Sequence, residues 1–446
     1  MYFQIAFLKK PSTSLVWFTL VLCLLLLSII TVFNPMDVHA LITPEIESPR
    51  ALLMDFETGT VLYEKNAREV TFPASTTKVM TALLVLEQAS LDEVVFIEEE
   101  PGVSGSSMYI LPGESFTVET LLEALLIRSA NDAAKVLAIH LSGTEEAFAE
   151  SMNLRAAALG AVNTNFTNPH GLPDEAHVTT AYDLALIARE AMKHDVFREI
   201  VARHNLIIPA THETDQRIYN NSNRFLWGKG PSHQMIYQGS STDIFYEPVD
   251  GIKTGYTNSA RNCLISSAQY NDHRFIAVVL NAEQEHIYVD SRTLLDYGFQ
   301  HFHHVTVAES GTYAGSLRVN NGTSESLDLF IDRNLTYIFP RSILRENISH
   351  TITYLNEELT APIEADTVQG WIDYYHEDEF LGQVMLMNQE AVEYVTLHQR
   401  ISPFTYGSLI AAGLFSGWKL FVLQRRKKRR RRRQRTSDRY RQYESI

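Results

Sequence analysis

The sequence predicts a mixed α/β (α+β) exported body, a small all-β domain behind it, and one membrane-spanning helix near the C-terminus. Three observations carry this. Between about Ile42 and Phe302, strand-like and helix-like patterns alternate. From Val305 to about Val395 the text changes to short segments with period-two alternation, such as "LRVNN", "LDLFID", "HTITYL" and "GQVMLMN". From Phe404 to Leu423 runs an apolar stretch whose only charge is Lys419, at roughly 20 residues enough to cross a bilayer. A chain of 446 residues has room for two or three domains, each with its own core.

Taken in order, the first 40 residues read as a targeting segment. Lys9 and Lys10 make a basic start, Ser14 to Phe33 is strongly apolar, and Val38-His39-Ala40 fits a small-x-small cleavage site. A signal peptide over 1–40 is expected, with an uncleaved anchor as its rival; both lead to export of the body behind them. "RALLMDFETGTVLYEKNA" reads as two short strands joined at Glu57-Thr58-Gly59. "TTKVMTALLVLEQA" is helical, with Val79, Leu83, Leu84 and Leu86 on one side. "VETLLEALLIRSANDAAKVLAIHLSG" reads as two helices broken around Ser129, and "TTAYDLALIAREAMKH" as a helix capped by Thr180 and Asp183. "NCLISSAQYNDHRFIAVVLNA" gives two strands turning at Asn271-Asp272. The expected organisation is therefore a body over 41–302, a β domain over 303–400, a transmembrane helix over 403–424 and a basic tail over 425–446.

Charge divides the same way. The net charge is −15, but the tail from Arg425 carries about +10, leaving about −25 on the rest. Directly after a membrane span, "RRKKRRRRRQR" reads as a cytoplasmic stop signal and not as a nucleic-acid patch. Lys419 lies near enough to the helix end to snorkel. No nucleic acid partner is expected for an acidic exported body. Of two cysteines, Cys23 lies in the targeting segment, so Cys263 stands alone and no disulfide framework is available. In an apparent strand, Cys263 reads as a small buried hydrophobe. There is no internal repeat and no phosphate-cradling glycine loop.

The chemistry starts at "PASTTKVMT". Pro73 suits the first turn of a helix. Residues three apart on a helix share a face, so the Lys78 amine reaches the Ser75 hydroxyl. A serine is a poor nucleophile until a base takes its proton, and a lysine can do so when burial or a second cation lowers its pKa. Alone, Ser-x-x-Lys is common by chance. Two further segments change its weight: "RSANDAAK", with Ser129 and Asn131, and "DGIKTGYTNSA", with Lys253, Thr254 and Gly255 at the expected start of a strand. Singly, the first reads as an ordinary N-cap and the second as a hairpin flank where glycine admits a close neighbour.

Together, in this order, Ser-x-x-Lys, Ser-x-Asn and Lys-Thr-Gly form the signature set of penicillin-binding proteins and serine β-lactamases. The segments "LLMDFETGTVLYEKNA", "PASTTKVMTALLVLE", "LLIRSANDAAKVLA", "NPHGLPDEAHVTTAYDLALIARE", "VDGIKTGYT" and "LLDYGF" closely resemble the low-molecular-weight D-alanyl-D-alanine carboxypeptidases. The resemblance implies a serine β-lactamase/transpeptidase-like catalytic domain with an antiparallel sheet and a helical subdomain, then a small β-sandwich and an anchor. It implies an acyl-enzyme on Ser75, Lys78 as base, Ser129 as proton relay, and Asn131 on the substrate amide and Lys78. Lys253 would hold Lys78 less protonated and attract the substrate's terminal carboxylate, and Thr254 would hydrogen-bond it. Gly255 belongs to the third motif, and the backbone N–H groups of Ser75 and Tyr256 would form an oxyanion hole. The substrate would be a peptidoglycan pentapeptide, β-lactams would acylate the same serine, and neither metal nor other cofactor is called for. Relatives often carry an arginine soon after the strand that follows Lys-Thr-Gly; this sequence has "NAEQEHIYVD" there, with His286, Ile287 and no arginine before Arg292.

Three other readings are open: a β-lactamase, an endopeptidase on the same catalytic fold, and a non-catalytic wall-binding module. No Glu-x-x-x-Asn element after the second motif supports the first, and the trailing β domain disfavours the second. Intact motifs disfavour the third. His301, His303 and His304 in "HFHHV" read as a surface hinge in preference to a metal site. His170 and His177 read as supports for a loop near the site.

Overall fold

The computed structural model describes residues 43–284, 286–396 and 403–443. The expected signal peptide over 1–40, with Cys23, lies outside the described residues. Those described divide into two compact units. One runs up to His304 and includes Ile338–Ile343; the other comprises Val305–Tyr337 and the chain from Leu344 on.

The first unit is built on five antiparallel strands. They are β1 (Arg50–Asp55), β2 (Val61–Lys65) and, after the intervening elements, β9 (Val249–Thr257), β10 (Arg261–Tyr270) and β11 (His273–Ala282). Their order is β2-β1-β11-β10-β9. Both faces are covered, which explains the unbroken apolar runs "ALLM" and "FIAVVL". Successive side chains point to opposite faces. Leu52, Met54, Ile276 and Val278 enter the core beneath the helices. Ala51, Leu53, Phe275, Ala277 and Val279 enter the core on the other face.

Between β2 and β9 lie α1 (Lys78–Gln88), β3 (Val94–Phe96), β4 (Ser115–Thr117), α2 (Val118–Glu123), α3 (Asn131–Ser142), α4 (Glu145–Ala158), α5 (Ala181–Ala191) and α6 (Asp195–Val201). Three small two-stranded sheets complete this stretch: β5 (Asn205–Ile208) with β6 (Arg217–Asn220), β7 (Gln234–Tyr237) with β8 (Ser240–Asp243), and β3 with β4. The expected one-sided apolar stripe on α1 is corrected. Every residue from Lys78 to Val85 is buried, so α1 is a core helix covered all round. The sequence pattern understated this because Lys78 and Thr81 are polar and yet inside. Thr180 caps α5 as expected, its hydroxyl accepting from Asp183 N–H at 3.0 Å. α7 (His286–His301) packs Leu294 and Leu295 into the second core.

His304 is not a surface hinge. Its Nε2 lies 2.9 Å from the fully buried Asp55 Oδ1, and its Nδ1 lies 2.8 Å from His273 Nδ1. A lone His-rich string carries no sign of a partner 249 residues away.

The second unit contains most of β12 (Phe302–Ala308) and half of β15 (Leu335–Pro340), with β13 (Tyr313–Asn320), β14 (Ser326–Ile331), β16 (Ile348–Tyr354), β17 (Glu358–Thr360), β18 (Val368–His376) and β19 (Glu379–Met387). Six of these form a sheet in the order β16-β18-β19-β14-β13-β17, parallel only between β13 and β17. Leu317 and Val319, then Leu327, Leu329 and Ile331, bury alternate positions, as one-faced strands do. The last helix, α8 (Pro403–Tyr443), joins the apolar run and the basic run in one element. Within it, Phe404–Arg433 is long and apolar enough to cross a membrane. Its Leu409, Leu414, Phe415 and Trp418 face outward, which suits a helix whose cover is lipid.

Candidate active site

Three stretches of chain converge on the Ser75 hydroxyl. The first is the turn itself. Pro73 does not start an α-helix; it precedes a 3-10 turn, Ala74–Thr77, and α1 begins only at Lys78. In a 3-10 turn, side chains three apart eclipse one another. Lys78 Nζ accordingly lies 3.1 Å from Ser75 Oγ. Ala74 sits at φ +49°, a left-handed conformation that costs an alanine about 1 kcal/mol. Such strain persists only where neighbours enforce it. Here Gly171 is one of them: a Cβ at that position would lie 1.9 Å from Ala74 O. His177 is another. Its Nδ1 accepts Thr167 N–H at 3.0 Å, so the proton is on Nε2, which faces Thr77 Oγ1 at 2.8 Å. The Thr77 hydroxyl then donates to Ala74 O at 2.9 Å. The loop-support reading of His177 therefore has a specific geometry.

The second stretch is the end of α2. It widens into a π turn, Ala124–Arg128, and stops at Ser129, which has φ +64° and ψ +34°. Ala130 N–H closes back on Ala124 O at 3.1 Å. This is the left-handed helix-ending position that glycine usually fills, here occupied by a hydroxyl-bearing residue. The N-cap reading of this motif is corrected, because the cap of α3 is Ala130 and no side chain caps it. Asn131, released from capping, turns its Oδ1 to Lys78 Nζ at 2.6 Å and donates through Nδ2 to Ser104 O at 2.6 Å. Asp132 accepts from Met108 and Ile110 N–H at 3.1 Å and anchors that loop.

The third stretch is β9. Lys253, Thr254 and Gly255 lie in the middle of this strand and not at its start, paired with Ile265, Leu264 and Cys263 of β10. Cys263 is fully buried, with its thiol pushed up to about 12 by that burial. Gly255 faces the 3-10 turn that carries Ser75. A Cβ there would meet Ser75 N at 2.9 Å and Thr76 N at 3.1 Å. Tyr256 is 62% exposed, and its hydroxyl donates to Asn258 Oδ1 at 3.2 Å.

A cavity of about 520 Å³ opens on these groups, with Ser75, Ser129, Thr254, Gly255 and Tyr256 on its wall. Lys78, Asn131 and Lys253 stand behind that wall, both lysines fully buried. Burial, and then the Lys253 ammonium, push the Lys78 amine well below its ordinary value, with Asp132 opposing. Burial brings Lys253 down to about 7. Lys78 Nζ is also 2.7 Å from His170 O. An amide oxygen and a carbonyl can only accept, so they take both N–H bonds of a neutral amine. Its lone pair is then left for Ser75. This arrangement can generate an alkoxide-like nucleophile against backbone N–H donors.

Sequence reasoning missed Ser222, Ser106, Arg128 and Arg224 on the cavity wall. Thr254 Oγ1 donates to Ser222 Oγ at 2.8 Å. Ser222 and Arg224 come from an aperiodic connection in "YNNSNRFLW", where no spacing marks them. The family model for peptidase S11, D-alanyl-D-alanine carboxypeptidase, matches residues 37–284, more than half of the chain. The chain belongs to that family. A second model, for the C-terminal domain of penicillin-binding protein 5, matches residues 302–394. The carboxypeptidase DacC of Escherichia coli strain K12 is 32% identical over 368 residues, 78% of this chain and 85% of that protein. DacF of Bacillus subtilis strain 168 is 30% identical over 345 residues, 76% and 84% of the two chains. Among solved structures, penicillin-binding protein 5 from Haemophilus influenzae matches 79% of this chain and 99% of its own, with TM-score 0.64 and 26% identity.

Proposed function

We propose that this family member is a serine-type D-alanyl-D-alanine carboxypeptidase that trims peptidoglycan stem peptides. The observation that carries the reading is the buried Lys78 amine, held below its ordinary pKa and 3.1 Å from Ser75 Oγ. Ser75 attacks the carbonyl of the penultimate D-alanine, and its proton passes to Lys78 Nζ. Backbone N–H groups of Ser75 and Tyr256 receive the oxyanion, each such donor contributing about 2.7–4 kcal/mol in comparable enzymes. Asn131 orients the amine and meets the substrate amide. Ser129 carries a proton to the departing D-alanine nitrogen. Thr254 hydrogen-bonds the carboxylate of that D-alanine, and Gly255 leaves room for the strand to approach the turn. Water then takes the acyl group from Ser75 and restores the hydroxyl. A β-lactam enters as a mimic and stops at the ester.

The apolar helix fits a membrane anchor. In this reading the body works outside and the basic run from Arg425 stays on the cytoplasmic side. The test is release of free D-alanine from a pentapeptide ending in D-Ala-D-Ala by the detergent-purified chain. A chain that binds the peptide without releasing D-alanine would instead support the wall-binding module.

A further inference from the structure

The cavity that opens on Ser75 must receive a substrate ending in a carboxylate, if the carboxypeptidase reading holds. The charge facing that carboxylate does not come from Lys253. This residue is fully buried, and its ammonium donates to Thr254 O at 3.0 Å and lies 3.5 Å from Ser222 Oγ. It acts on Lys78 from behind the wall. The cations on the wall itself, among the described residues, are Arg128 and Arg224.

Arg128 is built to face the cavity. It ends the π turn, directly before Ser129. Its Nε donates to Ser107 O at 3.2 Å, and its guanidinium carbon lies 5.1 Å from the Tyr219 ring centroid. These contacts hold the plane of the group and leave its terminal amino groups as a fork, the geometry that matches a carboxylate bidentately. Ser222 N–H donates to Ile127 O at 3.0 Å, which brings the Ser222–Thr254 hydroxyl pair beside the residue preceding Arg128. Arg224 follows Ser222 by two residues. Its backbone N–H donates to Tyr288 Oη at 3.3 Å, its guanidinium sits 5.7 Å from that ring, and its Nη2 donates to Ser232 O at 3.4 Å, so it is a partnered second cation beside Arg128.

We infer that Arg128, assisted by Arg224, recognises the terminal carboxylate of the substrate and so sets the preference of this site for a free C-terminus. Lys253 serves the base and not the ligand. The stretch after β11, Gln284 to Tyr288, then needs no arginine, because the charge arrives from the end of α2 and from the Ser222 connection.

The experiment compares kcat/KM for one peptide ending in D-Ala-D-Ala, with a free carboxylate and with a C-terminal amide. The wild-type chain is expected to favour the free carboxylate by about 100-fold, as a site built around a charged partner does. Arg128→Gln is expected to lower kcat/KM on the free acid at least about 10-fold, through loss of a charge-assisted pair. It should leave the amide almost unchanged. Arg128→Lys should recover part of the preference, and Arg128→Gln with Arg224→Gln should bring the ratio near one. Because both peptides meet the same preparation, the ratio does not respond to a mere loss of folded protein. A wild-type enzyme that prefers the free acid, with that preference intact in the double variant, overturns the inference. No release by the wild type of D-alanine from the free acid or of D-alaninamide from the amide overturns the carboxypeptidase reading itself.

Discussion

Lys78 Nζ lies between Ser75 Oγ at 3.1 Å and two pure acceptors, Asn131 Oδ1 at 2.6 Å and His170 O at 2.7 Å. This relationship settles the direction in which a neutral amine can accept a proton. If it serves catalysis, Ser75→Ala leaves the fold intact and removes both D-alanine release and covalent labelling by a fluorescent penicillin. The variant would be run on a denaturing gel after labelling. A labelled band in the alanine variant rules Ser75 out as nucleophile.

A second prediction concerns pH. The Lys253 ammonium is the second cause, after burial, of the lowered Lys78 pKa. Removing a neighbouring cation raises a lysine's pKa. Lys253→Met keeps an apolar stem in the buried site and is expected to move the acid limb of kcat/KM to higher pH. The shift should be confined to the region where Lys253, itself brought down to about 7, is protonated. A profile that falls in height but keeps its acid limb in place contradicts this coupling.

Gly255 tests the packing of β9 on the 3-10 turn that carries Ser75. An added methyl would press on Ser75 N at 2.9 Å and on Thr76 N at 3.1 Å, both backbone atoms without freedom to swing aside. Gly255→Ala should therefore displace the oxyanion donors and slow acylation by about 100-fold, the cost of a misplacement near 1 Å. Circular dichroism should stay unchanged, since β9 remains paired to β10. Wild-type acylation in this variant would sink the claim.

His177 predicts an acid-side loss of stability. Burial, and then the nearby His170, hold its pKa down to about 4 against the ordinary 6.5. The unfolded chain therefore binds the extra proton first as pH falls. The stability contribution is complete above about 6.5, falls between about 6.5 and 4, and changes no further below that; its full size is about 3 kcal/mol. His177→Gln should lower the denaturant midpoint at pH 7.5 yet flatten its decline over that window. A decline as steep in the variant as in the parent would assign the slope to other groups.

Lys78, Lys253 and Gly255 were readable because three short motifs in order resemble those of a known family; spacing alone supports only the shared face of Ser75 and Lys78. Ser75 and Lys78 share a face in any tight helical turn, and Lys-Thr-Gly needs an extended strand. Ser129 was readable as a break, although its left-handed role at the end of a π turn was not, since serine at that position defies the usual preference for glycine. The burial of Lys78 was invisible for a related reason: a charged residue reads as a wet face until its neighbours are known. His304 likewise carried no mark of Asp55.

From the linear order of residues alone came the alternating body, the β domain, the apolar helix and the shared face of Ser75 and Lys78, because each follows from local periodicity or short spacing. The tertiary structure decided what surrounds that pair. It brings Asn131 53 positions along the chain to Lys78, and His170 92 positions. It excludes water from both lysines, and it sets Arg128 and Arg224 on one cavity wall. Desolvation and charge proximity depend on distances through space, and these exist only once β9, α2 and the 3-10 turn have packed together.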